Sequence, residues 1–396
     1  MLKTFKVEMD PTEDQIKYFN QTMGACRWIY NHFIKVNDAI HDLYKGGYLK
    51  PGQKHYLGYV EFNKYISKLK QTPGYKWLQD CSVVATKAAA GNADTAFKNY
   101  FKKRCNHPKL KIKNKTEVGI YIGEPKAHIA IKSDKVKIPK IGWVKIKEKN
   151  YIPTSGDLRF GTITKHAGRY YVSYVFDVED KTQNTNKTEP LGIDLGIRNY
   201  AITSNPNIHY KNINKSKIVN KLEKRLKRDH RRVSRRQLNF NKRLMEAGGQ
   251  YVTRKNLDKA ILRLQRTYNR LHNIRNDYQN KIVIDLVKRN PSYISIEDLD
   301  VTKMLNNKYV SKQIKDAGFY NFRIKLTHKC QEYGVELRIV DRIFPSTKTC
   351  SCCGNVKPKF NLSQKTYICK KCGLVINRDL NAAINLRDTN NYTLAF

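Results

Sequence analysis

Five of the nine cysteines crowd together near the C-terminal end, at Cys350, Cys352, Cys353, Cys369 and Cys372. Cys350-x-x-Cys353-Gly354 and Cys369-x-x-Cys372-Gly373 are two copies of one short pattern, with fifteen residues between Cys353 and Cys369. A C-x-x-C turn aims two sulfurs at one point, and the glycine behind it permits a tight reversal, so four thiolates here suit tetrahedral Zn2+. Taking Cys353 rather than Cys352 keeps C-x-x-C-G in both copies and leaves Cys352 a bystander. With all four positions filled by protein, such a metal is structural and not catalytic. Free or redox thiols are the lesser alternative. Cys26, Cys81, Cys105 and Cys330 are scattered. The first residues do not read as a secretory leader, so the cluster reads as a metal site before it reads as disulfides.

Three carboxylates stand in places that call for explanation. Asp194 lies in the apolar strand Ile193-Asp-Leu195, just before Gly196, where a charge is costly without a metal or a strong donor. Glu297 ends the strand Tyr293-Ile-Ser-Ile-Glu297 and by alternation shares a face with Ser295, opposite Ile294 and Ile296. Asp379 begins the helix Asp379-Leu-Asn-Ala-Ala-Ile-Asn-Leu386. Singly, each has an ordinary explanation: a turn aspartate, an exposed strand-end acid, a helix-capping acid. Together, two strand-borne acids and one helix-start acid, far apart in sequence, suit an α/β nuclease core that gathers carboxylates around two Mg2+ ions.

The charge points the same way. Lys and Arg number 76 against 34 Asp and Glu, a net charge of +42. An excess of this size weighs against acidic small-molecule chemistry as the main role and predicts a polyanionic partner, nucleic acid first. An anionic membrane surface is the weaker reading, because no amphipathic anchor stands out. No run of about 18 apolar residues exists to span a bilayer. With 40% hydrophobic and 11% aromatic residues, the chain has material for packed cores and is not a disordered polycation. The densest charge lies between Lys215 and Arg243, with 13 Lys or Arg and two acids. Lys224, Arg225, Lys227, Arg228, Arg231, Arg232, Arg235 and Arg236 are the candidate phosphate contacts there, since an unpaired run of one sign repels itself unless a polyanion binds it. Trp28, Tyr121 and Trp143 could stack on bases, although core packing is the better account of each.

The elements that must carry these groups follow from periodicity. Residues 1–9 alternate as a strand. A helix is predicted from Asp10-Pro-Thr-Glu13, with Asp10 as cap acceptor and Pro11 at the first helical position. Its apolar face is Ile16, Phe19, Met23, Cys26, Tyr30 and Phe33. Tyr59–Leu69 and Ser82–Phe101 continue the helical character. Short strands are predicted at Val118–Ile122, His128–Ile131, Val136–Ile138, Gly142–Ile146 and Arg169–Asp177, a spacing that suggests a small antiparallel barrel or sandwich. The first strand belongs with it, which makes the helical stretch an insertion. Asp180–Pro190 is polar and reads as a linker. Beyond it come a strand, a glycine turn and a second strand over Leu191–Thr203. Long helices follow at about Lys215–Gln237 and Arg254–Lys288, then the Tyr293 strand, a helix near Ser311–Tyr333, a strand at Val335–Asp341, the cysteine knuckles, a last helix and a polar tail.

Several of these segments carry a resemblance. Leu191-Gly-Ile-Asp-Leu-Gly-Ile-Arg-Asn-Tyr-Ala201, Ile296-Glu-Asp-Leu299, Ser346-Thr-Lys-Thr-Cys-Ser-Cys-Cys-Gly354 and Asn377-Arg-Asp-Leu-Asn-Ala-Ala-Ile-Asn-Leu386 resemble the TnpB (OrfB) family of transposon-encoded proteins. Those proteins have a RuvC-like nuclease domain and are related to the type V CRISPR effectors. Pro11-Thr-x-x-Gln15 and Gly24-Ala-Cys-Arg-Trp-Ile-Tyr-Asn31 are similar to the family's helix-turn-helix segment, and Pro108-Lys-Leu-Lys111 to its short motif before the β domain. The resemblance covers nearly the whole chain in the family's order.

It implies an α/β RuvC-like (RNase H-like) nuclease domain with an inserted zinc finger, preceded by a small wedge-like β-barrel that carries a helical recognition insertion. The implied domains are a first strand at 1–10, the helical insertion at 11–104, the β-barrel at 105–180, a linker at 181–190, the nuclease at 191–348 and 377–388, the zinc finger at 349–376 and a tail at 389–396. It implies an RNA-guided, metal-dependent DNA endonuclease that cuts beside a short flanking motif. Asp194, Glu297 and Asp379 would be the catalytic Mg2+ ligands, and Cys350, Cys353, Cys369 and Cys372 the structural Zn2+ ligands. The partners would be a guide RNA from the transposon end and double-stranded target DNA, bound by a monomer in a prokaryotic cytoplasm at the nucleoid. Guide pairing would leave the protein to supply positive grooves, which suits charge spread along the chain. One departure is visible: Asn377 stands where members often have Asp. The alternatives are a guided repressor without cleavage, a compact CRISPR effector, a strand-transfer transposase, for which no His-hydrophobe-His motif is present, and a non-catalytic zinc-ribbon factor, which leaves Asp194 unexplained.

Overall fold

The computed structural model describes residues 1–48, 52–113, 116–123, 130–178, 186–359 and 364–396. The chain divides into two compact units, Met1–Glu179 and Asp180–Phe396.

In the first unit, strand β1 (Leu2–Asp10) leads into helices α1 (Glu13–Lys45), α2 (Tyr59–Leu69) and α3 (Val83–Phe101), and strands β2 (Ile120–Gly123), β3 (Lys135–Ile138), β4 (Gly142–Ile146), β5 (Asp157–His166) and β6 (Arg169–Asp177) follow. The sheet order is β2-β5-β6-β1-β4-β3. β1 runs antiparallel to β6 from Leu2↔Asp177 to Met9↔Tyr170, so the three helices are contained between the first and second strands of one sheet. Helices and sheet share a single core that includes Phe19, Phe33, Phe62, Phe97, Val172 and Tyr174. The region expected to form a barrel or sandwich contains, among the described residues, one six-stranded sheet with helices packed on it, and no pairing among those residues joins β2 and β3.

Local details differ from the sequence reading. The cap of α1 is Thr12, whose Oγ1 accepts from Gln15 N at 3.4 Å while Gln15 Oε1 accepts from Thr12 N at 3.1 Å. Asp10 is not the cap, because it still pairs with Lys145 in the sheet. β5 escaped detection, since Gly161 and charged residues interrupt its alternation. Of the predicted strand 128–131, residues 128 and 129 lie outside the described residues, and Ile131 forms an isolated bridge to Val136. Trp28 lies within a packed ring cluster, stacked on His32 at 4.4 Å. Trp143 lies beneath Lys132 and Lys135, and Tyr121 packs against Phe160.

The second unit holds β7 (Leu191–Leu195), β8 (Asn199–Thr203), β9 (His209–Lys211), α4 (Lys217–Glu246), α5 (Lys255–Lys288), β10 (Tyr293–Glu297), α6 (Val301–Leu305), α7 (Ser311–Ala317), α8 (Phe319–Tyr333), β11 (Glu336–Val340), β12 (Thr366–Ile368), β13 (Val375–Asn377), α9 (Arg378–Asp388) and β14 (Tyr392–Leu394). Its main sheet has the order β14-β11-β10-β7-β8-β9. β7, β10 and β11 are mutually parallel and mostly apolar, with Asp194, Ser295, Glu297, Glu336 and Arg338 as the polar exceptions. β8, β9 and β14 extend this sheet antiparallel at its two sides.

The helix expected over Ser311–Tyr333 breaks at Gly318, whose φ of +65° ends α7. Gln279 Nε2 holds the break by donating to Ala317 O at 2.9 Å and Gly318 O at 3.2 Å. The expected tail is also ordered: Tyr392–Leu394 pairs with Arg338–Val340, and the Arg338 guanidinium lies 3.4 Å from the Tyr293 ring centre and 4.4 Å from that of Tyr392. Of the expected linker, residues 180–185 lie outside the described residues. Its end is tied down, because Thr188 N donates to Asn290 O and Thr188 O accepts from Ser292 N.

Candidate active site and metal centre

The parallel register aligns two of the three acids. Leu191, Gly192 and Ile193 of β7 face Ile294, Ser295 and Ile296 of β10, and one more step sets Asp194 beside Glu297 where both strands end. Residues at equal register point to the same face, so Gly192, Asp194, Ser295 and Glu297 look toward one side of the sheet. Helix α9 covers that side, with Tyr293 Oη donating to Arg387 O at 3.1 Å.

Gly192 determines how near α9 can come. A Cβ there would lie 1.9 Å from Ala383 O and 2.6 Å from Arg387 N, so only glycine admits the helix at this height. Asp379, Ala383 and Arg387 form one stripe of α9. Two strand residues span about 6.6 Å and four helix residues about 6 Å, so a helix seated with Ala383 over Gly192 delivers Asp379 over Asp194.

The electrostatics match this placement. The Asp194 carboxyl is pushed up to about 8, first by burial, then by the charges of Asp379 and Glu297, with Arg378 pulling the other way. Burial, then Asp298, raises Glu297. Burial would raise Asp298 as well, but its bonds to Arg323 and Arg342 outweigh this and hold it below the usual carboxylate range. Arg342 also reaches Asp300 at 2.9 Å and thus ties the loops after β10 and β11 together beside Glu297. Arg378 grips Asp379 Oδ1 through Nε at 2.8 Å and Nη2 at 2.7 Å. Asn377 is the cap of α9: its Oδ1 accepts from Asp379 N at 2.9 Å and Leu380 N at 3.1 Å. Its oxygen therefore serves the backbone that presents Asp379. Asp194 and Glu297, whose affinity for protons is raised, are groups that a hard divalent cation would satisfy.

The cysteines form a tighter group. The ligand sulfurs of Cys350, Cys353, Cys369 and Cys372 all lie within 4.8 Å of one another, the one such cluster among the described residues. Sγ–Sγ separations of 3.6 Å for Cys350–Cys372 and Cys353–Cys369 suit four thiolates about 2.3 Å from a shared ion. The backbone N–H of Cys372 leads in drawing the Cys369 thiol down to about 6, which prepares a thiolate. Cys352 is exposed and outside the cluster.

The basic helix α4 sorts its arginines. Buried Asp229 pairs with Arg225 at 3.6 Å, Arg232 at 3.5 Å and Arg263 of α5 at 3.1 Å, and accepts from Thr267 Oγ1 at 2.9 Å. Arg225 and Arg232, whose side chains stay 41% and 39% exposed, are thereby tied to Asp229, and Arg236 donates to Asn256 O. Lys224, Lys227, Arg228, Arg231 and Arg235 are exposed. Lys217 and Lys221, missed by the sequence reading, extend them: 217, 221, 224, 228, 231 and 235 follow one another by three or four, a stripe about 27 Å long. That spacing was visible in the sequence; the diversion of Arg225 and Arg232 was not.

Known proteins resemble this chain along most of its length. Residues 1–44 match the helix-turn-helix domain model of the IS605 OrfB proteins, residues 173–308 their "Probable transposase" model, and residues 319–386 the TNB domain of Cas12f1-like proteins. A Streptomyces pristinaespiralis protein named as a candidate RNA-guided DNA endonuclease is 28% identical over 386 residues, covering 97% of this chain and 88% of its own. InsQ of Escherichia coli K12, named likewise, is 24% identical over 409 residues, covering 100% and 94%. Among solved structures, Cas12f1 in its complex with guide RNA and target DNA shares the fold, with a TM-score of 0.57 at 12% identity over 99% of both chains. No helix among the described residues is long and apolar enough to cross a membrane. With three models met in order along one chain and two relatives alike over nearly their full length, the chain is similar to the OrfB proteins of IS605-type elements along most of its length.

Proposed function

We propose that this protein is an RNA-guided, metal-dependent DNA endonuclease encoded by, or derived from, an insertion sequence. The observation that carries the reading is the convergence of Asp194, Glu297 and Asp379: two carboxylates at matched register on parallel strands and a third brought over them by a helix that Gly192 admits. This arrangement supports a RuvC-like nuclease domain with those residues as catalytic Mg2+ ligands. Two bound Mg2+ ions would supply an activated water and positive charge at the leaving oxygen. The protein's own part is to orient the carboxylates: Asn377 fixes the first turn that presents Asp379, and the Asp298–Arg323–Arg342 network braces Glu297. Cys350, Cys353, Cys369 and Cys372 would hold structural Zn2+. The stripe on α4 would follow a phosphate backbone of guide RNA or target DNA. A monomer on its guide, in a prokaryotic cytoplasm, completes the reading.

The test is to purify the protein with its native flanking DNA and sequence the RNA that co-purifies. The preparation is then given Mg2+ and duplex DNA matching the RNA's variable end. A discrete RNA, with cutting that falls by about 10³-fold or more in Asp194→Ala, is the expected result. RNA bound without cutting would replace the nuclease with a repressor, and the absence of any defined RNA would end the guided reading.

A further inference from the structure

Helix α9 has a second face. Asn381 and Asn385, four residues apart on the side away from Gly192, are 0% and 7% exposed. Asn381 Nδ2 donates to Thr349 O at 2.7 Å, and its Oδ1 accepts from Ser351 N at 3.0 Å. Asn385 Nδ2 donates to the same Thr349 O at 2.7 Å and to Ser346 O at 2.8 Å. One side chain thus holds the peptide groups on both sides of Cys350.

The second knuckle is joined to α9 directly. Cys369 and Cys372 lie between β12 and β13, which pair from Thr366↔Asn377 to Ile368↔Val375, and β13 runs without a gap into α9. Arg378 N donates to Lys365 O at 2.8 Å across that junction. The contacts make a ring: first knuckle, cysteine-bound metal, second knuckle, β13, α9, the two asparagines, and back to the first knuckle. Asp379 stands at the junction of β13 and α9, inside the ring. Tyr367 of β12 also spans the knuckles, its Oη donating to Lys348 O at 3.0 Å; if the metal leaves, this contact still joins them, but the two ends that define the start of α9 are held less firmly.

We propose that Asn381 and Asn385 are positioning residues that couple the four-cysteine cluster to the acid site, so that metal on the cysteines sets where Asp379 stands. This rests on the reading of Asp194, Glu297 and Asp379 as metal ligands. The ring has a specific consequence: loss of zinc and loss of the asparagine contacts act on the acid site by the same route and do not add.

The experiment measures Mn2+ binding by electron paramagnetic resonance, on the full chain loaded with zinc and on the same chain after chelation and desalting. Removing zinc is expected to weaken Mn2+ binding about tenfold, the lower range for loss of groups that orient metal ligands. Asn381→Ala/Asn385→Ala is expected to keep its zinc, to bind Mn2+ about tenfold more weakly, and to show no further loss when zinc is removed. Asn381→Asp, which keeps the acceptor for Ser351 N but loses the donor to Thr349 O, should fall between. Mn2+ affinity in the parent chain that is indifferent to zinc would overturn the coupling, and that arm decides even if the double variant does not fold. Asp194→Ala separates the two readings: Mn2+ binding unchanged there would remove the acid site itself, whereas binding lost there but insensitive to zinc removes only the coupling.

Discussion

The cysteine cluster and the acid site are both ligand sets, and they are built in opposite ways. The four sulfurs come from a span of 23 residues and lie within 4.8 Å of one another. The carboxylates come from β7, β10 and α9, far apart in sequence, and are not drawn into so tight a group. Thiols are neutral when protonated and pack together at little cost. Carboxylates repel, so the fold spreads them, raises the affinity of Asp194 and Glu297 for protons and sets the Arg378 guanidinium beside Asp379. The lesson is that a soft-ligand structural site can be completed locally, whereas a hard-ligand site must be held open by elements with their own reasons to pack.

This contrast can be pressed experimentally. The largest effect is expected at the local site. Cys353→Ser should abolish zinc retention and expose backbone amides from 346 to 377 to hydrogen exchange, because the free energy of binding a structural zinc is folding free energy for so small a ribbon. Retention of zinc with unchanged exchange would mean that the cluster does not hold the ribbon together.

Gly192→Ala comes next and probes the distant construction. The added methyl would overlap Ala383 O, so the protein should lose about 3 kcal/mol in denaturant unfolding. Asp379 should move with the helix, and cleavage should fall in folded protein. Full activity in this variant would show that α9 need not sit so close.

A smaller effect distinguishes charge from packing. The folded pKa of Asp194 is raised to about 8, well above the ordinary carboxylate range. In metal-free protein its contribution is therefore most favourable below that range and is lost as pH rises toward 8. Asp194→Asn should stabilise the metal-free protein at pH 9 and leave it nearly unchanged at pH 4, with Mg2+ reversing the advantage. Thermal unfolding at the two pH values, with and without Mg2+, is the measurement. Stabilisation at pH 4 as well would place its origin outside ionisation. The smallest change belongs to the exposed stripe: Lys221→Ala should lower the slope of log affinity against log salt by about 1 without altering sequence choice, whereas Arg225→Ala should act on stability through Asp229.

Much of this was legible in residue order. The duplicated C-x-x-C-G located the cysteine site because ligand spacing within one short segment nearly dictates its geometry. The strand carrying Asp194, the strand ending at Glu297 and the helix opening near Asp379 follow from apolar runs and turn residues, and the outline of α1 to α3 follows from three-and-four spacing. Where the reading slipped, a longer-range contact overrode a local signal. Asp10 remains in the sheet because Lys145 pairs with it, so the cap passes to Thr12. Gly161 hides β5. The segment 392–394, read as tail, becomes a strand because β11 offers an edge and Arg338 a guanidinium between two tyrosines.

By itself the sequence determined which residues could bind metal, where the positive charge lies and which elements carry them, since ligand type, charge and periodicity are properties of the chain. Only the tertiary structure decided that Asp194 and Glu297 share a level, that Gly192 admits α9, that Asp229 engages Arg225 and Arg232, and that Asn381 and Asn385 fasten that helix to Cys350. Each of these is a meeting of groups from different elements, set by strand register and helix seating. Those are fixed by the packing of whole faces, which no single stretch of residues contains.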